Sequence, residues 1–387
     1  MRSVNFIAQN SLSLLFCGTE FFPALVKSID EAKIEVFLET YIFAGDPTGN
    51  TIKAALISAA QRGVIVHVIA DWIGTGNVQA KLLGNDFSQA GVNYRIFNPW
   101  FRSGSTRSHR KICVVDGAQA FVGGININDD LFFDDDDRAP LLQPRWDFAV
   151  QISGPLVGLI HREAKDQWER LGPLDLVSRI DMYRSSRKKP PNFGALPTLA
   201  GLVVRDNLRD RSTIQRAYLQ ALGNSTKSVL LASPYFAPGR RFMNALAAAA
   251  ARGVEVTLLI GAGQFRLQDA VARSFYPKLL KSGVKLVEYR KTQLHGKVAV
   301  IDDMWATVGS SNCDGLSLFL NQEANIVIKD AEFSRKLRGH IKQGIAEGTV
   351  VHANSYSNVS WYQHLWYGTA YLLYSGVMRI ITLGRYD

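Results

Sequence analysis

The chain of 387 residues sets 44 lysines and arginines against 34 aspartates and glutamates, a formal net charge of +10, and is 47% hydrophobic. This excludes a disordered chain, allows two cored domains of ordinary size and favours an anionic partner, either a phospholipid surface or a nucleic acid. Cys17, Cys113 and Cys313 are odd in number and have no paired spacing, which argues against a disulfide framework or a zinc site and fits a reducing compartment.

The apolar patch Leu12 to Cys17 is shorter than the apolar region of a signal peptide, and Phe16 is too large for the small residue that precedes a lipoprotein cysteine. It therefore reads as the first strand. Ile34 to Phe43 reads as a buried strand, Asn50 as the cap of a helix running through Arg62 and closed by Gly63, and Val64 to Ala70 as the next strand. Strand, helix and strand with apolar runs imply parallel pairing covered by helices. Ile112 to Val115 should form a hairpin with Phe121-Val122. Residues 172–200 then lose apolar periodicity and gather Arg179, Arg184, Arg187, Lys188 and Lys189 before Pro190-Pro191, as a solvated connector or a basic patch facing a membrane.

The plan then recurs. Val229 to Ala232 is a strand, a helix from about Arg241 to Arg252 is closed by Gly253, and Val254 to Ile260 is a strand. Val298 to Ile301 pairs with Thr307-Val308. From Trp361 to Leu383 the chain is nearly uncharged and aromatic, with an uncharged core, Leu365 to Met378, shorter than the ~20 residues a spanning helix needs. Such a segment either lies in the headgroup region of a bilayer or packs on the second domain. The expected division is a first domain at 1–171, the basic linker at 172–200, a second domain at 201–350 and the aromatic segment at 351–387.

One pattern is written twice: His109-Arg110-Lys111 leading to Asp116, and His295-Gly296-Lys297 leading to Asp302. Each is followed by a Gly-rich turn ending in asparagine, Gly123-Gly124-Ile125-Asn126 and Gly309-Ser310-Ser311-Asn312. Every one of these positions is separated from its counterpart by 186 residues, and Ala60-Gln61-Arg62-Gly63-Val64 is echoed by Ala250-Ala251-Arg252-Gly253-Val254. A large unit repeated twice implies two homologous domains about a pseudo-two-fold axis rather than a solenoid.

Positions two apart on a strand share a side, so the His and Lys of each motif should face one cavity while Arg110 and Gly296 face away. Two imidazoles and two ammonium groups on the dyad suit a phosphodiester. One neutral imidazole attacks phosphorus and the protonated one serves the departing alkoxide, while Lys111, Lys297, Asn126 and Asn312 hold the nonbridging oxygens. No metal or cofactor is called for, because the cations are built in. Each histidine should have an orienting carboxylate, for which Asp147 and Glu323 are placed after the two motifs. Trp100, Phe101, Tyr235 and Phe236 are candidate walls. The acidic run Asp134 to Asp137 lacks the glycine and ligand spacing of a calcium loop and reads as a solvated loop at the pocket mouth. His67, His161, His340, His352 and His364 read as ordinary core or surface residues.

With these motifs the sequence resembles the phospholipase D superfamily over essentially its whole length. Leu38-Glu39-Thr40-Tyr41-Ile42, Leu294-His295-Gly296-Lys297 and Trp305-Ala306-Thr307-Val308 look like a bacterial cardiolipin synthase of the short type. The resemblance implies α/β architecture with two phospholipase D-like α/β/α sandwich domains. It also implies transphosphatidylation through a phosphohistidine, making cardiolipin from phosphatidylglycerol at the cytoplasmic face of a bacterial inner membrane, peripherally and with no nucleic acid as partner. His109 would be nucleophile and His295 acid. Asp147 would orient His109 and Glu323 would orient His295, while Asp116 and Asp302, counted in the catalytic motif, would brace the pocket. Hydrolysis of phospholipid, a nuclease activity and a noncatalytic scaffold binding anionic lipid are the alternatives the same motifs leave open.

Overall fold

The computed structural model describes residues 4–101, 104–134, 139–172, 198–207, 210–353 and 360–382. The basic connector, apart from its ends, lies outside the described residues.

In the first half, β1 (Ser11–Phe16), β2 (Glu35–Thr40), β3 (Ile65–Asp71), β4 (Asn93–Phe97), β5 (Ile112–Val115), β6 (Gln119–Gly123) and β7 (Phe148–Ser153) form one sheet in the order β1-β7-β6-β5-β2-β3-β4. The second half contributes β8 (Leu199–Arg205), β9 (Ser228–Ser233), β10 (Phe236–Ala237), β11 (Glu255–Gly261), β12 (Lys285–Tyr289), β13 (Lys297–Ile301), β14 (Trp305–Gly309), β15 (Cys313–Asp314), β16 (Glu323–Lys329) and β17 (Thr349–Val351). Its main sheet runs β17-β12-β11-β9-β13-β14-β16-β8, while β10 and β15 pair with each other. Taken from the β8 end, seven strands match the first sheet position for position and β17 is an addition at the edge. The duplication in sequence is thus a duplication of topology.

Within the two main sheets, parallel pairing is confined to β2, β3 and β4 and to β9, β11 and β12, where a helix covers each crossover. The motif strands β5 and β13 join antiparallel, so both sheets are mixed. The helix after β2 spans Pro47–Gln61 and starts earlier than Asn50. Asp46 caps it by accepting from the Gly49 N–H, and Pro47 takes the first turn, where no N–H is needed. Its counterpart spans Arg240–Ala251, and both chains turn out of the helix through glycines in the left-handed region, Gly63 at φ +91° and Gly253 at φ +87°.

Three apolar layers result. One lies between the first sheet and the helices Cys17–Glu31 and Pro47–Gln61, another between the second sheet and its own outer helices. The third is shared: Trp146, Phe148 and Leu156 of the first half pack with Leu294, Val298 and Ile341 of the second, with the helices Leu156–Arg170 and Ala331–Glu347 in the same layer. The Trp146 and Phe148 rings meet edge-on at 4.6 Å. Cutting Phe148 to alanine would cost about 3–5 kcal/mol at this seam. All three cysteines are buried thiols.

The C-terminal segment is one helix, Trp361–Ile381. Tyr367 and Ala370 pack on Ala237, Ala270 and Val271, while Trp361, Tyr362, Leu365, Leu372 and Ile380 stay exposed. One face of the segment thus packs on the second domain, and the other is apolar and open. No helix among the described residues is long and apolar enough to cross a membrane.

Candidate active site

The dyad passes between two short backbone crossings. Ser108 bridges Gln322, with the His109 N–H donating to the Gln322 carbonyl, and Trp146 bridges Leu294, with the His295 N–H donating to the Trp146 carbonyl. Each motif histidine is thereby tied, residue by residue, to the segment that enters the last paired strand of the opposite domain. Glu323 follows Gln322 and Asp147 follows Trp146, so each carboxylate arrives beside the histidine of the other half.

That corrects one expectation. Asp147 accepts from Nδ1 of His295 at 2.6 Å, and Glu323 lies 3.1 Å from Nδ1 of His109. The sequence order suggested a carboxylate for the histidine of its own half, but the inter-domain bridges exchange them. Nδ1 of His109 also lies 3.0 Å from the Ser310 carbonyl, which can only accept. The ring must therefore carry its proton on Nδ1 and hold a free lone pair on Nε2. Ser310 in turn donates through its hydroxyl to Glu323 at 2.5 Å.

Lys111 and Lys297 occupy the cavity side of the motif strands, and each ammonium donates back to the carbonyl of its own histidine, at 2.8 Å for Lys111. Burial, with the charge of Lys297 next, brings Lys111 down to about 7, and burial brings Lys297 down to about 8 against the pull of Asp147 and Asp134. Burial also holds His109 below its ordinary value, against Glu323, and takes His295 to about 4, with Lys297 adding to the fall. Burial would raise Asp147, but the opposing charges of His295 and Lys297 hold it below the usual carboxylate range. Groups from both domains thus act on one another across the seam.

The glycines of the turns are fixed by close approach. A Cβ on Gly124 would sit 2.3 Å from Asp147 Oδ1, and one on Gly296 would sit 2.8 Å from the Trp146 ring. Asn126 and Asn312, the expected phosphate ligands, are buried beside the motifs. Asn126 commits its amide oxygen to the Ile42 N–H at 3.4 Å and keeps its NH2 to donate, whereas the buried amide oxygen of Asn312 has no partner among the described residues.

Asp116 and Asp302 do not enter the pocket, which corrects their place in the catalytic set. Each sits at the far end of its motif strand at positive φ, +52° and +50°, and gathers the backbone N–H groups that open a neighbouring strand. Asp116 takes Lys33, Ile34 and Glu35; Asp302 takes Thr226, Lys227 and Ser228. Their part is to staple the hairpin to the sheet.

Asp134 supplies a third correction. It is no solvated loop residue: its side chain is 9% exposed, Oδ1 is held by Arg145 and by Asn128, and Oδ2 lies 3.8 Å from Nε2 of His295. The rest of the acidic run falls outside the described residues. Arg110 faces away from the cavity as expected, yet it is fully buried, paired with Glu39 at 3.0 Å and Glu163 at 2.9 Å, while Ser108 donates to Glu39. Of the candidate walls, Tyr235 is half-buried within electrostatic reach of Asp134 and Tyr41. Phe236 belongs to the core of the second domain, Trp100 is exposed against Trp72, and the Phe101 side chain is outside the described set. Tyr41, whose ring lies 4.9 Å from that of His109, is a wall that composition and spacing do not single out.

Twin sheets of one topology, with a His–Lys pair from each meeting at the seam, define a phospholipase D-like protein. A family model described as cardiolipin synthase, PLD-like domain, matches residues 25–139 and 218–345, and the chain belongs to that family. It is similar to cardiolipin synthase B of Escherichia coli K12, 38% identical over 87% of this chain and 81% of that protein, and to cardiolipin synthase B of Salmonella typhi, 38% identical over 87% and 80%. In fold it is similar to the crystal structure of phosphatidylserine synthase from Haemophilus influenzae, with a TM-score of 0.72, 14% identity and coverage of 98% of this chain and 97% of that one.

Proposed function

We propose that the protein is a phosphatidyltransferase that makes cardiolipin from phosphatidylglycerol through a phosphohistidine. The chemistry rests on one observation: two imidazoles, His295 buried and His109 largely so, each braced at Nδ1 by a carboxylate of the opposite domain, stand among two ammonium groups. The choice of lipid is supported by the name of the 38% identical relatives.

His109 is the nucleophile in this reading, because the Ser310 carbonyl holds its proton on Nδ1 and leaves Nε2 free to attack phosphorus. The P–O bond to the departing glycerol breaks as the P–N bond forms, and Nε2 of His295 gives that oxygen its proton. A second phosphatidylglycerol then brings a hydroxyl, His295 removes its proton, and the P–N bond is exchanged for a new P–O bond. Two carboxylates beside His295, against one beside His109, favour the extra proton on His295 once the phosphodiester brings its own negative charge into the pocket. Lys111 and Lys297, with the amide of Asn126, hold the nonbridging oxygens as charge builds on them.

The exposed aromatic and aliphatic face of Trp361–Ile381 supports peripheral seating on an anionic inner-membrane surface at the cytoplasmic face, where a net charge of +10 adds attraction. Incubation of the purified chain with phosphatidylglycerol vesicles should give cardiolipin, and phosphatidyl-alcohols when primary alcohols are added, with neither product from His109→Ala. Cleavage of DNA by a chain inert toward lipid would replace this reading with a nuclease.

A further inference from the structure

The mechanism uses one pocket carboxylate, Asp134, only for the charge it sets beside His295, and leaves its free oxygen without a task. Asp134 is fixed on one side only: Arg145 and the Asn128 amide hold Oδ1, while Oδ2 is buried with no hydrogen-bond partner among the described residues. Arg145 is itself immobilised, its other nitrogen donating to the Asn128 side chain at 2.9 Å and to the Asp129 carbonyl at 2.6 Å. The free oxygen is thus aimed by a built support. It points toward Nε2 of His295 at 3.8 Å, too far for a hydrogen bond between them. An orphaned carboxylate oxygen at that depth is costly unless a donor completes it.

The geometry points to Asp134 as the residue that reads a second hydroxyl on the carbon next to the reacting one, making the pocket selective for 1,2-diol headgroups. This rests on the phosphatidyl-transfer reading above. The reacting oxygen lies about 2.8 Å from Nε2 when it exchanges its proton, and a donor to Oδ2 lies about 2.7 Å from that oxygen. Vicinal oxygens of a diol stand roughly as far apart as one hydrogen bond, so a 1,2-diol closes the four-sided path from Nε2 through both hydroxyls to Oδ2. A lone alcohol leaves Oδ2 unpaired, and a 1,3-diol puts its donor one carbon too far. The leaving glycerol of the donor lipid occupies the same place as the incoming acceptor, since the two half-reactions run through His295 in opposite directions. In the second half-reaction the P–N bond to His109 breaks, the P–O bond to the diol forms, the proton passes to Nε2 of His295, and the neighbouring hydroxyl keeps its proton and donates it to Asp134. A site that rewards a hydrogen bond to a buried acceptor discriminates strongly against ligands that lack it.

The test is a competition. The full chain acts on phosphatidylglycerol vesicles with equal concentrations of 1,2-propanediol, 1,3-propanediol and 1-propanol, and the phosphatidyl-alcohols are counted by mass spectrometry. The wild type should favour 1,2-propanediol over each of the other two by about tenfold. Asp134→Asn, which keeps an oxygen for Arg145 but replaces the free acceptor with a donor, should bring the ratios within about twofold of unity. Equal use of the three alcohols by the wild type overturns the assignment with no variant needed. So does an Asp134→Asn protein that slows on all three while keeping the preference, since that is the behaviour of a group acting on the charge of His295 alone. Absence of every phosphatidyl-alcohol would instead remove the transfer reading, and the assignment with it.

Discussion

The two halves of the pocket share a backbone plan and differ in what surrounds each imidazole. On the His109 side Nδ1 is divided between the Ser310 carbonyl and Glu323, with the Ser310 hydroxyl also bound to Glu323. On the His295 side Nδ1 makes one short bond to Asp147 and Nε2 faces Asp134. The position equivalent to Ser310 is Gly124, where any side chain would collide with Asp147. Duplication therefore supplied two copies of the reactive pair, and single changes around them made the copies unequal. In the proposed mechanism the same motif becomes nucleophile or proton carrier according to its neighbours, as pairs of titratable groups in unlike environments do elsewhere.

The sharpest way to break that comparison is to remove each imidazole. His109→Ala and His295→Ala should each lower cardiolipin formation by at least about 10³-fold. A phosphatidyl ester of p-nitrophenol separates them, because that leaving group departs without a proton. His295→Ala should release about one equivalent of p-nitrophenol per chain and stall with the phosphatidyl group on the protein, visible by mass spectrometry, whereas His109→Ala should release none. A burst from His109→Ala alone would exchange the roles. The crossed carboxylates come next in size. Asp147→Asn should cost about 10²-fold in kcat and keep the burst, since it disturbs His295, and Glu323→Gln should cost about tenfold or more and slow the burst itself, since it disturbs His109. If Asp147→Asn slows the burst, the exchange between domains is not how the enzyme works.

Much of this was legible in residues alone, for identifiable reasons. The 186-residue register carried the duplication because matched functional motifs sit at the same points of matched sheets, and apolar runs located most strands within one or two positions. What escaped depends on contacts between domains. Nothing local says that Gln322 will bridge Ser108 and so carry Glu323 to His109. Asp134 looked solvated because it stands in an acidic run, and only the fold shows Arg145 reaching it over eleven residues. The helix expected from Asn50 starts at Pro47, capped by Asp46, because proline fits the first helical turn, a start that the apolar pattern does not mark.

The lysines sharpen the comparison less steeply, through pH. Lys111 and Lys297, at about 7 and about 8, carry their charge below those values and lose it above them. KM for phosphatidylglycerol, measured on vesicles of fixed composition, should therefore rise from pH 7 upward, with a total change of about tenfold by pH 9. Lys111→Arg keeps its charge at any such pH and should move the rise upward, at some loss of kcat from poorer fit. A KM that tightens with rising pH would mean that the ammonium groups do not hold the phosphate.

The smallest effect on chemistry is expected where the motif is conserved between the halves yet lies outside the pocket. Asp116 and Asp302 hold three backbone N–H groups apiece at the strand end remote from the histidines. Replacement by alanine leaves those donors to water, since the sites are partly exposed, and should cost about 1–2 kcal/mol of stability for each side chain. Melting followed by calorimetry should show a fall of a few degrees, while kcat per folded molecule stays within about twofold of the wild type. Asn, which tolerates positive φ and can still accept, should recover most of the loss at either position. A collapse of kcat at unchanged melting temperature would put these aspartates back among the groups that act on the reaction, and would imply that the hairpins they staple transmit their position to Lys111 and Lys297 along β5 and β13.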